Sequence, residues 1–320
     1  MSPNRSNERA RGLPALRHLP LPLVLAVVAG CRSTTKAAPV DDANPKQPIE
    51  EIVAAGNVPE SIGKVLVDLD ASIRAWTNLT MTAGSDGDRR RARQLEQNLM
   101  FVAHKHRDEL IAELEGGPPN NRIVAASALG FTREPEAHSP LIAALEDSNV
   151  QVVANALLGL ALLGRADTPF ERVCDLLQTS TVGSVRSNAA LCAANLVQAG
   201  ARADCVLPAA RFGLLDVEPG VRSQCALILA ALVDRESLAA IGERIYDPVP
   251  LVGAACARAV AHVGLESPRD KGLAARILVK AFEDTEGPVR LQVQRGLASL
   301  AGGNYGDELS EWKQWAARLP

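Results

Sequence analysis

One amphipathic helix recurs six times between residues 121 and 302, and it constrains the fold of this chain more than any other feature. The clearest copies begin at Val185-Arg186 and Val221-Arg222. The aligned copies start at Asn121, Val150, Val185, Val221, Leu251 and Val289, in steps of 29 to 38 residues. A helix pair repeated at this spacing predicts a helical solenoid, because one pair cannot bury its apolar face without neighbours.

The composition agrees with an all-α fold. Hydrophobic residues make up 47% of the 320 residues but aromatic residues only 3%, which suits close packing of helices through small side chains. In each copy, apolar or small residues at positions 0, 4, 5, 8 and 11 share one helical face, which predicts the packing stripe. We therefore expect an all-α, right-handed α-α superhelix with capping helices at both ends.

The predicted domains follow from breaks in this pattern. We expect capping helices over residues 58–118, about six repeats over 119–302 and a C-terminal capping helix over 303–320. The cap is predicted as one helix ending near Met81 and a second from Asp88 to Glu115, separated by a Gly-rich stretch. A solenoid needs such caps because its terminal repeats would otherwise expose an apolar face.

The N-terminus has the pattern of a secretory signal. Four arginines precede an apolar run from Leu19 to Gly30, which is too short to span a bilayer and ends in small residues before Cys31. This ending resembles the lipobox of bacterial lipoproteins, which implies cleavage of residues 1–30 and acylation of Cys31. Arg32, rather than Asp, implies by the same resemblance the outer membrane, periplasmic side. An ordinary signal, or a cytosolic protein with an apolar N-terminus, is the alternative.

Residues 31–57 hold three prolines and no aromatic residue, which predicts a disordered tether. Without residues 1–30 the chain carries 30 basic and 36 acidic side chains, a net charge near −6. An acidic chain is a poor candidate for nucleic-acid binding. The basic cluster from Arg89 to Arg93 is predicted to be a solvated helix face.

Several copies carry an Asp in the turn before the helix and an Arg at its start. Asp216 precedes Arg222 by six residues, and Asp284 precedes Arg290 by six. The pattern resembles HEAT repeats, in the short bacterial form also seen in phycobilisome-lyase-type modules, which implies an Asp–Arg ladder between repeats. The other copies are expected to keep only the Arg (Arg122, Arg186) or to interrupt the ladder (Gln151, Val252).

The tail and the cysteines complete the structural expectations. The tail resembles that of HEAT-repeat lipoproteins of the planctomycete type; Trp312 and Trp315 share one side of a short helix, either as a cap or as an aromatic docking point. With Cys31 lipidated, five cysteines remain in apolar helical settings, which favours buried packing over disulfides. A Cys192–Cys225 bridge is left open.

The sequence contains no motif that indicates catalysis. His-Glu-x-x-His, Cys-x-x-Cys, Gly-x-Ser-x-Gly and a phosphate-binding Gly-rich loop are all missing. His104 and His106 would point about 200° apart on a helix and cannot share a metal. His104 is expected to form surface ion pairs, and His262 is expected to be buried between repeats. We expect no cofactor.

The resemblance to HEAT repeats implies that helix positions 2, 3, 6 and 10 line the concave side. These positions are apolar in the first two copies, where the N-terminal helices either cover them or leave a groove for a partner. The residues predicted for partner binding are Val124, Phe131, Val153, Leu160, Asn188, Asn195 and Gln224, with Trp312 and Trp315 in the tail.

The predicted function is a membrane-anchored, non-catalytic scaffold that binds a protein partner in the cell envelope. The alternative is a lyase-like or metal-dependent enzyme, as in some phycobilisome-type repeat proteins. A structural spacer without a fixed ligand is a third possibility.

Overall fold

A computed structural model describes residues 60–82, 85–303 and 305–320. Over these ranges the protein is an all-α superhelical repeat structure without a β-strand. The predictions for residues 1–59, which include the signal, Cys31 and the tether, lie outside the described residues. Within the described part of the chain, no helix has the length and apolar character needed to cross a membrane.

Six helix pairs follow two N-terminal helices, and one helix follows the last pair. In each pair we call the helices first and second in chain order. The N-terminal helices are α1 (Ile62–Thr82) and α2 (Asp86–Lys105). The first helices are α3 (Arg107–Gly116), α5 (His138–Ala143), α7 (Phe170–Thr179), α9 (Val206–Gly213), α11 (Leu238–Glu243) and α13 (Lys271–Asp284). The second helices are α4 (Pro119–Gly130), α6 (Val150–Leu163), α8 (Gly183–Gln198), α10 (Pro219–Ala231), α12 (Pro250–Glu266) and α14 (Gly287–Ala301), and the last helix is α15 (Leu309–Ala317).

Prolines and side-chain caps set where the second helices begin. Four of them, α4, α10, α12 and α14, carry a proline in the first turn, where its missing N–H has no helical partner to lose. At the start of α6, the Asn149 side chain instead accepts a hydrogen bond of 2.9 Å from the Gln151 N–H. Gly164 ends this helix with a left-handed φ of 59°.

The helix predicted from Asp88 to Glu115 is two helices in the structure. His106 lies between them with φ −110° and ψ 20°, outside helical geometry, so that α3 leaves α2 in a new direction. The helix α3 packs against α4 as the other first helices pack against their second helices. Continuous apolar spacing through residue 106 hid this break from sequence analysis.

The second helices form the inner layer of the stack. Each contacts the next along the series from α4 to α14, whereas neighbouring first helices contact each other much less. The more closely spaced layer of a curved stack lies on the inside of the curve. The second helices therefore line the concave face.

Burial corrects the predicted register of two repeats. Val150 and Leu251, the predicted starts, are 39% and 38% exposed, whereas Val152 and Val252 are fully buried. The true starts of the second and fifth copies are therefore two residues and one residue later. Position 8 then holds a fully buried residue in every repeat: Leu129, Leu160, Ala193, Leu229, Val260 and Leu297.

A disulfide joins two neighbouring repeats, contrary to the sequence prediction. Cys174 on α7 bonds to Cys205 at the start of α9, with Cα atoms 6.1 Å apart. The three remaining cysteines of the described residues, Cys192, Cys225 and Cys256, are buried free thiols, as expected, and the Cys192–Cys225 bridge does not form. The apolar sequence surroundings did not identify the bonded pair, because all five cysteines after Cys31 have such surroundings.

Candidate protein-binding groove

The N-terminal helices cover the apolar inner face of the first repeat. Trp76 of α1 meets Phe131 at the end of α4 in an edge-to-face contact, with ring centroids 5.0 Å apart. Both side chains are almost fully buried. At Phe131, the structure thus agrees with the alternative in which the chain covers its own apolar residues.

Most residues predicted to bind a partner lie inside the protein. Phe131, Val153, Leu160, Asn188, Gln224 and Trp312 are buried, and Val124, Asn195 and Trp315 are half-buried. In the corrected register, Leu160 belongs to the packing stripe at position 8 and Val153 to position 1. Neither lies at the concave position that the sequence alignment assigned to it.

Two of the predicted polar residues tie neighbouring second helices together. The Asn188 side chain donates to the Ala154 carbonyl at 2.7 Å, and the Asn195 side chain donates to the Ala161 carbonyl at 2.8 Å. Both bonds run from α8 to α6. These amides hold the inner layer together, and Asn195 still reaches the surface because it is only half-buried.

The tail closes the last repeat. Trp312 of α15 is fully buried and donates its Nε1–H to the Gly306 carbonyl at 3.0 Å. Its ring lies edge-to-face against Tyr305 and Trp315, at 4.8 and 6.0 Å between centroids. Because α15 packs on α13, this cluster covers the end of the stack as a cap does.

Largely buried Arg–Asp pairs at the turn edge involve five of the six repeats. Each Arg reaches the Asp of the following repeat, so the pairs cross between repeats. The pairs are Arg122–Asp147 at 2.8 Å, Arg186–Asp216 at 2.7 Å and Arg222–Asp247 at 2.8 Å. Arg122 and Arg186 were predicted to lack an acidic partner. The missed signal was an Asp five residues before the corrected start of four copies, at Asp147, Asp216, Asp247 and Asp284, whereas the first and third copies carry Gly116 and Ser180 there.

These contacts change the ionisation of the aspartates. Hydrogen bonds from Arg122 hold the pKa of Asp147 below its usual range. Burial raises the pKa of Asp216 and Asp247, but it is outweighed by the hydrogen bonds from Arg186 and Arg222 together with the backbone N–H bonds from Glu218 and Val249 and the nearby arginine charges, so that both pKa values also lie below the ordinary value. All three carboxylates are thus held charged by the neighbouring repeat.

The ladder is interrupted at Val153 and Gly253, which occupy the Arg position of the second and fifth repeats. Beside Val153, a cavity of about 170 Å³ is also lined by Ser180, where other repeats carry the ladder Asp. At Gly253 there is no such space, because an added Cβ would lie 2.5 Å from the Ile245 carbonyl oxygen. The predicted interruption at these two repeats stands, but not at the predicted residues Gln151 and Val252.

A groove of about 750 Å³ opens where the N-terminal helices end over the inner layer. The residues at position 10 of the first three repeats lie at this groove. Phe131 packs beneath Trp76, and Leu162 and Asn195 line the groove itself. Ala161 and Leu163 add apolar surface from α6. The groove therefore has an apolar floor on the concave side of the solenoid.

The rim of the groove is basic. Arg89 and Arg93 of α2 and Arg133 after α4 contribute to its lining, with Glu96 as the acidic lining residue. Sequence analysis predicted the cluster from Arg89 to Arg93 to be a solvated face. The i, i+4 spacing of Arg89 and Arg93 was the available signal, since it places both on one side of α2.

The inner layer as a whole shares this charge. The six second helices carry six arginines and one acidic residue, Glu266. Three of the arginines belong to the ladder, and Arg290 lies 4.0 Å over the Phe282 ring. Arg258 and Arg295 form no ion pair with any described residue, and burial lowers the pKa of Arg258. The charges of the second helices that are not paired with a carboxylate are thus mainly basic, in a chain with net charge −3.

The described histidines are not part of a cluster that could hold a metal. Among the described residues, no group of three or more His, Cys, Asp or Glu side chains is placed to hold a metal ion. His104 Nδ1 lies 2.8 Å from a Glu134 carboxylate oxygen, which agrees with the predicted surface ion pair when the imidazole is protonated. His262, predicted to be buried, is exposed at position 10 of the corrected register.

Comparison with known proteins supports the repeat assignment. Residues 107–194 match the family model described as HEAT repeats, beginning at the first residue of α3. Among solved structures, the chain is similar to an engineered protein of the Northeast Structural Genomics Consortium, at 19% identity and a TM-score of 0.49, over 61% of this chain and 98% of that one. No curated protein sequence matches the chain.

Two further structures are similar at lower scores. The complex of CpcE and CpcF of phycocyanin lyase from Nostoc sp. PCC7120 aligns at 20% identity and a TM-score of 0.40, over 66% of this chain and 93% of that one. Computationally designed armadillo repeat proteins for modular peptide recognition align at 16% identity and a TM-score of 0.41, over 66% of this chain and 98% of theirs.

Proposed function

We propose that this protein is a lipid-anchored, non-catalytic scaffold of the cell envelope that binds another envelope protein through its concave face. The observation that carries the proposal is the groove, which combines an apolar floor with a basic rim on the inner side of a continuous helical stack. Solenoids use such extended concave surfaces to bind other proteins. The fold thus supplies the surface, and the groove supplies a defined place on it.

The proposed location rests on the N-terminal sequence and on the disulfide. The basic residues, apolar run and Cys31 form the signal of an exported lipoprotein. The Cys174–Cys205 bridge supports export, because disulfides persist in oxidising compartments and are rare in the cytosol. We place the protein at the outer membrane, periplasmic side, with Cys31 as the acylated residue.

The anchor is tested by replacing Cys31 with Ser and separating membranes from soluble contents of the cells. Wild-type protein should sediment with membranes and carry a diacylglycerol mass on its N-terminal peptide. Cys31→Ser should lose the lipid mass and move to the soluble fraction, because acyl chains contribute about 0.8 kcal/mol per buried CH₂. Membrane association of both proteins without a lipid mass would contradict the anchor.

Partner binding is tested by photo-crosslinking in intact cells from matched positions of one repeat. Gln198 is exposed on α8 and lines the groove, whereas Gln178 is exposed on α7 in the outer layer. A photoreactive residue at Gln198 should give one discrete adduct with another envelope protein, and Gln178 should give none. Identical adducts from both positions, or none from Gln198 and His262 on the inner layer, would contradict binding through the concave face.

A further inference from the structure

We infer that the groove beside the N-terminal helices binds a segment of the partner polypeptide that carries both acidic side chains and leucine-like apolar side chains. The apolar side chains lie on the floor of the groove and the carboxylates at its arginine rim. This inference rests on the proposed function and specifies the chemistry of the partner. It is carried by the charge of the rim, the apolar floor and the shape of the groove.

The rim has more guanidinium groups than carboxylates. Arg133 pairs with Glu96 at 2.8 Å, and Arg89 pairs with Asp86 through an exposed contact on α2. Arg93 forms no close ion pair with a carboxylate of the described residues, although its charge acts on Asp86 at longer range. Exposed pairs are worth at most about 1 kcal/mol. A carboxylate that enters the groove can therefore pair with Arg93 directly. It can also replace the present carboxylate partners of Arg89 and Arg133 at a small cost in free energy.

The floor of the groove favours an apolar side chain. Leu162 and Leu163 are half-buried at the groove, beside Trp76. The Trp76 Nε1–H is buried and has no acceptor among the described residues. Because this nitrogen is fully buried, a ligand in the groove meets the apolar side chains of the floor.

The surroundings of the groove extend the same preference. Beyond it, the inner layer carries the unpaired Arg258 and Arg295 and only one acidic residue. A segment that follows position 10 as far as the last two repeats passes beside these arginines, which lie four residues before His262 and Ser299 on the same helices. A flat anionic membrane cannot enter a concave groove between helices, so the shape favours a polypeptide over a lipid surface.

The inference is tested with the purified full chain and short fluorescein-labelled peptides of alternating glutamate and leucine. Fluorescence anisotropy should show saturable binding that weakens as salt rises, because added ions screen exposed charges. A lysine–leucine peptide and a glutamate–serine peptide, which lack the carboxylates and the apolar side chains respectively, should each bind at least about tenfold more weakly, a difference of about 1.4 kcal/mol. Equal binding of the glutamate and lysine peptides would overturn the inference.

Two pairs of matched variants locate the site. Arg93→Glu should weaken binding of the glutamate–leucine peptide at least tenfold, whereas Arg91→Glu, exposed on the same helix and outside the groove lining, should change it less than about twofold. Gln198→Glu and Gln178→Glu form a second pair with the same expectation. All four residues are exposed, so circular dichroism should show unchanged folding. Equal losses within each pair would overturn the assignment to the groove.

The test separates this inference from the proposed function. A discrete crosslink from Gln198 in cells, combined with no preference for acidic peptides, would preserve concave binding and overturn the acidic specificity. Acidic peptide binding that depends on Arg93, without any crosslink in cells, would preserve the chemistry of the groove and contradict the envelope partner.

Discussion

At the scale of single residues, the buried ion pairs between repeats decide how the stack responds to mutation and acid. The Asp247 side chain is 1% exposed and its partner Arg222 10% exposed. If one charge of the pair is removed, water therefore cannot solvate the other. Arg222 also donates to the carbonyls of Asp216 and Val217 in its own repeat. One guanidinium therefore connects two turns.

Asp247→Asn should lower the free energy of unfolding by about 3 kcal/mol at neutral pH, because the buried Arg222 charge loses its partner. Urea unfolding followed by circular dichroism measures this loss. Asp68→Asn is the control, since the Lys64–Asp68 pair is exposed and should contribute less than about 1 kcal/mol. Equal effects of the two substitutions would contradict a stabilising role for the buried Arg222–Asp247 pair.

Acid should remove the stabilisation by the Arg–Asp pairs between repeats. Since the pKa of Asp147, Asp216 and Asp247 is lowered in the folded protein, their contribution is fully present above the unfolded value of about 3.9. It is lost as the pH falls through the folded values. Unfolding free energy measured from pH 6 to pH 2 should fall less steeply in Asp247→Asn than in the wild type. Parallel curves would contradict the assignment.

The disulfide should contribute to stability through the unfolded chain. Its cysteines are 31 residues apart, and closing a loop of this length is worth about 3 to 4 kcal/mol in the chain-entropy account. Dithiothreitol should therefore lower the melting temperature of the wild type. It should leave Cys174→Ala/Cys205→Ala unchanged, because the other described cysteines are buried free thiols. An equal drop in both proteins would contradict the bridge.

At the scale of elements, the sequence predicted which segments are second helices better than it predicted their rotation. All six aligned starts lie within two residues of the start of a second helix. The register failed where apolar residues are adjacent, at Val152-Val153 and Leu251-Val252, because periodicity then allows more than one apolar face. The Asp five residues earlier, present at Asp147 and Asp247, decides between them.

It should be possible to introduce the missing Arg–Asp pair between the second and third repeats. Val153→Arg with Ser180→Asp places the ladder pair beside an existing cavity of about 170 Å³ and should raise the free energy of unfolding by up to about 1 kcal/mol. Gly253→Arg has no space against the Ile245 carbonyl and should lower it by more than about 2 kcal/mol. Urea unfolding compares the two. Destabilisation by the double variant equal to that of Gly253→Arg would contradict the corrected register.

At the scale of the whole molecule, the solenoid could be predicted from the sequence but the groove could not. Repetition reports that helices pair and stack, because each copy needs the same apolar stripe. The groove depends on how α1 and α2 cross the first repeat, and the contact of Trp76 with Phe131 joins residues far apart in the chain. Such contacts leave no periodic signal. The spacing of Arg89 and Arg93 therefore indicated that they share one side of α2, but not that this side faces a groove.

The central claim is that the second helices from α4 to α14 form one continuous inner layer, and amide hydrogen exchange tests it most directly. Amides in this layer should exchange most slowly, in an unbroken series from repeat to repeat, because their helices are packed on both sides. First helices should exchange faster. Slow exchange confined to separate helix pairs, with rapidly exchanging second helices between them, would contradict the account.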